Sequence, residues 1–188
     1  AANWLGDPTA KLAGRLTLNP VSHIDPMGSI ILPAILVLSG TPFLFGWAKP
    51  VPYNPNNLKN IRKGTFLISI AGILSNIFLA IFFGFLIRFA LIIGVPLYTA
   101  YSGTLAPFYK ITSIIVSLNL ILAIFNIIPI PPLDGSKILF SIIPPKYRYI
   151  ENFLERYGIL LLLFFIIFLW NEIAPIMFLV FSLITGLH

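Results

Sequence analysis

Asp134 is a carboxylate in a place where carboxylates are costly. It closes the stretch Asn119–Gly135, NLILAIFNIIPIPPLDG, an apolar helix-like run followed by Asn126, three prolines and Asp134-Gly135. An acid at membrane depth needs a metal, a proton or a partner to offset its desolvation, which makes it a functional hypothesis from the outset. Pro129, Pro131 and Pro132 remove backbone donors and disfavour helix just before the acid. Broken backbone at that depth persists where it lines a protein-walled or wet cavity. Local sequence alone also allows a humbler reading, since Asp-Gly after Pro-Pro-Leu makes a good turn. In that case Asp134 caps a helix or pairs with a cation at the interface.

Two amides are the next candidates. Asn126 stands about two turns before Asp134, where its side chain could donate to a developing oxyanion or contact substrate. Asn76 follows Gly72 by four residues, and helix packing is the simpler account of that pair. Gly72 leaves room for a close backbone, and Asn76 could bond across to the broken helix. His23, between Asn19-Pro20 and Asp25-Pro26, reads as a turn or interface residue rather than a metal ligand. Glu172, beside Asn171, is expected to be a buried acid packed against another helix or a wet groove, outside the catalytic set. Trp4 and Trp47 read as interface anchors.

Composition names the medium in which these residues work. Of 188 residues, 58% are hydrophobic and 10% charged, with seventeen phenylalanines, far too apolar for a soluble domain. The chain has no cysteine, so disulfides and thiolate metal sites are out. The formal charge of +6 does not indicate nucleic acid, because the cations flank apolar runs and build no basic, aromatic-interleaved face. The partner they imply is a lipid bilayer. The expected fold is an all-α polytopic membrane protein, one integral domain over 1–188. Region 1–64 is cytoplasmic-side and re-entrant, 65–135 holds the core helices, and 136–188 a cytoplasmic loop and the C-terminal helix.

Three segments are long enough to span: Phe66–Phe89, Ile111–Pro129 and Tyr157–Ile184. Asn171, Glu172 and Pro175 interrupt the last, predicting a kink or two half-helices. Met27–Phe45 is apolar but carries Pro33, Gly40 and Pro42, poor material for one clean helix. A short extended strand is expected at Arg15–Leu18. Positive charge orients the set. Lys11 and Arg15 precede Met27–Phe45, and Lys49, Lys59, Arg62 and Lys63 follow it, so that segment should re-enter rather than cross. The first span then runs outward, the loop Gly94–Pro107 has no Lys or Arg, and the second span returns. Lys137, Lys146, Arg148 and Arg156 mark the cytoplasm again, on the side of Asp134. Arg88 and Lys110 run against the rule and are expected to snorkel to the headgroups.

The string Asn126-x-x-Pro129-x-Pro131-x-Leu133-Asp134-Gly135 resembles, position for position, the signature of the site-2 protease family of intramembrane zinc metalloproteases. LGDPTAKLAGRLTLNP (5–20), HIDPMG (23–28), FGWAKPVPYNP (45–55) and AGILSN (71–76) are similar to the short prokaryotic branch of that family, which lacks a PDZ domain. The resemblance covers nearly the whole chain, the last helix in composition only. It implies that Asp134 is the third ligand of a catalytic Zn²⁺, beside two imidazoles. It also implies a transmembrane protein substrate, cleaved in a prokaryotic cell membrane with the active site toward the cytoplasm. An extended 45–55 segment could pair with unwound substrate as an added strand.

One family element is missing from these residues. Zincin chemistry needs HExxH, two imidazoles at i and i+4 with a glutamate between them. The chain's histidines are His23 and His188, and neither sits in such a motif. In the family HExxH lies just upstream of the LGDPTA segment, so the chain reads as a metalloendopeptidase that starts after its motif and is inactive as it stands. The alternatives are a non-catalytic pseudo-protease or membrane scaffold and, further off, a transporter. A transporter would be expected to carry a second, symmetry-related broken segment, and none matches 126–135.

Overall fold

The computed structural model describes residues 1–17, 19–41, 44–94 and 103–187 and forms two compact units, Ala1–Gly64 and Thr65–His188. Among the described residues there are helices and turns but no strand.

The first unit is a chain of short turns tied together by buried polar groups. A 3₁₀ turn (Ala2–Leu5) leads to α1 (Thr9–Leu12). A second turn (Pro20–His23) leads to a π-helical turn (Pro26–Ile31) that runs directly into α2 (Leu32–Leu38). Asn19 and Asp25 each start a turn by accepting a backbone N–H, with proline at the next position, as expected of an N-cap followed by a residue with preset φ. Fully buried Asp7 is the hub. Its carboxylate accepts from Thr9 N–H at 3.1 Å, the Thr9 hydroxyl, Asn54 N–H at 2.7 Å and Asn57 Nδ2 at 2.9 Å. Burial alone would raise its pKa, but these hydrogen bonds outweigh that and lower it to about 2.

The strand expected at Arg15–Leu18 does not form over residues 15–17, which bend instead; Leu18 lies outside the described residues. The reason is Arg15 itself. Its side chain is buried, and the guanidinium donates to the carbonyls of Ser22 and Pro50, drawing the chain into a fold-back.

As expected of Met27–Phe45, no single clean helix forms; Pro42 and Phe43 lie outside the described residues. The chain leaves α2 through Gly40 at φ 68° and returns to where it began. Trp47 N–H donates to Gly28 O at 3.1 Å, Ser29 Oγ to Trp47 O at 2.8 Å, and Lys49 N–H to His23 O at 3.0 Å. Two glycines permit the closure. A Cβ on Gly28 would enter the Trp47 indole, and one on Gly46 would lie 2.6 Å from Gly28 O. Pro26–Leu38 is one of the shorter apolar helical stretches. At ~1.5 Å per residue it reaches only ~20 Å, short of a ~30 Å hydrocarbon core.

The second unit is built on three helices long and apolar enough to cross a membrane. α3 (Ile61–Ile92) begins at the end of the first unit; α4 (Ala106–Ile127), α5 (Asp134–Ile142) and α6 (Arg148–Thr185) follow. The expected outer loop Gly94–Pro107 falls mostly on residues 95–102, outside the described set. Ala80 and Ile87 of α3 pack with Tyr109, Val116 and Leu120 of α4 and with Val180, Phe181 and Ile184 of α6. Bare Gly84 lets α6 approach, since a Cβ there would enter Ile184. Arg88 donates to the carbonyl of Leu183 in the last turn of α6. There carbonyls lack intrahelical partners and the helix dipole favours a cation. The outward faces are apolar: Phe78, Phe82, Phe85 and Phe89 are each about half exposed and recur at helical spacing along α3, a face suited to lipid.

Of the two outcomes expected for α6, the two half-helices do not form: it runs as one helix through Asn171, Glu172 and Pro175, because a proline inside a long apolar helix removes a single donor and membrane helices tolerate this. Glu172 is exposed rather than buried.

Candidate functional site

The break between α4 and α5 is a short loop held at both edges. α4 ends at Ile127, and Phe125 of its last turn packs against Phe165 and Trp170 of α6 at ring separations of 6.4 and 6.0 Å. Ile128 N–H donates to Phe125 O, Ile130 N–H to Ile128 O, and Leu133 N–H to Ile130 O, at 2.8–3.0 Å. The Pro131–Pro132 bond is cis. α6 closes on this loop from the other side at Gly158, where a Cβ would sit 2.6 Å from Pro131 O. Ser136, nearly fully buried, donates its hydroxyl to Leu133 O at 2.7 Å and its N–H to the same carbonyl at 3.2 Å.

Asp134 is the first residue of α5. The helix cap is Leu133, without a side-chain bond, so Asp134 does not act as N-cap. Its charge instead lies in the first turn, where the helix dipole favours an anion. Lys137 Nζ lies 2.8 Å from Asp134 Oδ1, an i,i+3 ion pair about one-third exposed. The other oxygen faces α3: a Cβ on Gly72 would lie 3.3 Å from Asp134 Oδ2. Gly72 therefore gives room to the acid itself. Gly135 allows the end of α4 to meet the start of α5, because a Cβ there would enter the carbonyl oxygens of Ile127 and Ile128.

Asn76 lies one turn beyond Gly72 on the same helix face, and Asn126 in the last turn of α4; both are half-buried. Neither amide forms a hydrogen bond among the described residues, so the bond expected from Asn76 across to the broken helix is not made there. His23 does what a turn residue does. Its Nε2 lies 3.1 Å from Thr17 O, and its own carbonyl accepts from Lys49.

Two contributors escaped the reading of the sequence. Lys137 counted only as a topological charge, although its i,i+3 spacing from Asp134 on a helix was a legible signal. Gly158 gave none, because what it avoids is the Pro131 carbonyl, backbone brought from elsewhere.

Chemically, the arrangement offers one carboxylate at a helix start, one oxygen engaged by an ammonium and one beside a bare glycine. No group of three or more His, Cys, Asp or Glu able to hold a metal exists among the described residues. A zinc site takes at least three protein ligands. These residues thus suit one oxygen ligand of a zinc and do not furnish the set.

Comparison with known proteins agrees with the motif. The model of peptidase family M50 matches residues 93–168. Over 171 residues the chain is 40% identical to YwhC of Bacillus subtilis (strain 168), provisionally described as a zinc metalloprotease, covering 91% of this chain and 70% of that protein. No solved structure matches the chain.

Proposed function

Because the chain belongs to peptidase family M50, the site-2 protease family of metalloproteases, we propose that it works in an intramembrane zinc metalloprotease that cleaves membrane-embedded substrate helices. The observation that carries this reading is Asp134. A helix breaks in a proline loop, and the acid that follows is set at the start of α5 with one oxygen against bare Gly72. Asp134 would hold zinc together with ligands from outside the described residues. When bound, zinc supplies Lewis-acid activation of water for peptide hydrolysis.

The chain's own residues have simpler tasks. The first turn of α5 stabilises the Asp134 anion, and Lys137 holds one oxygen so that the carboxylate has a fixed orientation. Asn126 and Asn76, whose amides are free of partners among the described residues, would hydrogen-bond the substrate backbone, Asn126 at the carbonyl under attack. Residues 1–188 contain no HExxH, so by themselves they are expected to hydrolyse nothing. A second reading is a non-catalytic membrane scaffold of this family.

The two readings separate in the natural full-length protein. Zinc content and cleavage of a transmembrane reporter are measured for wild type, Asp134→Asn, Asn126→Ala and residues 1–188 alone. Asp134→Asn should lose both zinc and cleavage while keeping its fold, because Asn has the shape of Asp without its charge. Asn126→Ala should lose turnover more than zinc. Full activity in Asp134→Asn, or zinc-dependent cleavage by residues 1–188, would sink the assignment. A wild type with neither zinc nor cleavage would favour the scaffold.

A further inference from the structure

At the end of α4 far from Asp134, a cavity of about 910 Å³ opens between the first turns of α4 and the last turns of α6. Its walls are apolar: Ile111 and Ile114 on one side, Phe178, Phe181 and Leu187 on the other. Two lining residues, Lys110 and Ser113, do not fit an apolar role. Lys110 is exposed and forms no ion pair or hydrogen bond among the described residues, whereas Arg88, at the same end of the bundle, is engaged with Leu183 O. From residue 89 to residue 133 the sequence contains no acid.

We propose that this cavity binds an anionic glycerophospholipid of the surrounding bilayer. An acyl chain lies between α4 and α6, and the phosphate sits against the Lys110 ammonium. Charge selects the headgroup: an unpaired ammonium at the mouth of an apolar cavity matches a phosphate joined to a hydrocarbon tail. Size argues against a peptide occupant. A helix ~10 Å across fills such a volume in about two turns, a small part of the ~20 residues that span a bilayer. The volume falls within the range of small-molecule sites. It also gives Lys110, a cation on the side where cations are scarce, a role beyond snorkelling.

The test uses the natural full-length protein in mild detergent, with retention of phosphatidylglycerol and phosphatidylcholine measured by native mass spectrometry. Wild type should retain phosphatidylglycerol about tenfold better. Lys110→Gln should remove that preference, whereas Arg148→Gln, which deletes the same charge at the other end of the bundle, should keep it. Ile114→Trp, which fills the cavity, should lower retention of both lipids. Equal retention of both lipids by wild type, or an unchanged preference in Lys110→Gln, overturns the proposal. So does a photo-crosslink from position 114 that captures a protein segment instead of lipid.

Discussion

Gly72 and Gly135 flank the same carboxylate but tolerate change differently. A methyl at Gly135 would enter two backbone carbonyls that have nowhere to move, so Gly135→Ala should cost ~1–3 kcal/mol by overpacking and lower the melting temperature. A methyl at Gly72 meets only the tip of a side chain, at 3.3 Å, and alanine in a helix interior is favoured over glycine by up to ~1 kcal/mol. Gly72→Ala should therefore melt no lower than wild type, yet reduce reporter cleavage in the full-length protein by displacing Asp134. An equal loss of stability in both variants would refute the distinction. Asp7 makes a different residue-scale prediction. Its pKa is depressed from 3.8 to about 2, so its contribution is fully present above the unfolded value and is lost as pH falls through the folded one. Acid unfolding followed from pH 5 to pH 2 should show that loss in wild type and a shallower slope in Asp7→Asn, which should also be less stable at pH 7. Asp134 was legible because its neighbours form a dense local string. Asp7 was not, because its partners at Asn54 and Asn57 come from almost fifty residues away.

Among the elements, the hairpin around α2 carries the sharpest test. Its closure depends on Gly28 accepting the Trp47 indole against its bare Cα. Gly28→Leu should prise the ends apart and accelerate hydrogen exchange at the Trp47 and Lys49 amides, whose acceptors lie across the closure; unchanged protection there would refute the account. Proline and glycine content announced that 27–45 would not be one helix. The partner of each end was hidden, because it depends on which backbones meet. α6 taught the opposite lesson. Asn171, Glu172 and Pro175 suggested a kink or two halves, and a 38-residue apolar helix stays continuous by absorbing one missing donor.

For the whole molecule, hydrophobicity located the three long helices to within a few residues in the interior and less well at their starts: α3 begins at Ile61 and α6 at Arg148. Those early starts carry Arg62, Lys63, Arg148 and Arg156, which no hydropathy window admits. Orientation rests on these charges, with Arg15 discounted because its guanidinium is engaged by carbonyls. We expect 45–64 and 135–156 to face the cytoplasm and 94–107 the outside. A chain without cysteine makes impermeant-thiol scanning clean. Labelling from outside at position 59 or 148, or labelling that puts positions 15 and 59 on opposite faces, would reverse the topology.

Trp47 lying on Gly28 also gives the protein an optical reporter of its own. The chain has three tryptophans: Trp4 is 91% exposed, Trp170 stands beside Phe125, and Trp47 is the one whose ring touches the hairpin backbone. With the other two replaced by phenylalanine, the emission of Trp47 would follow the opening and closing of that hairpin in real time, without any attached dye.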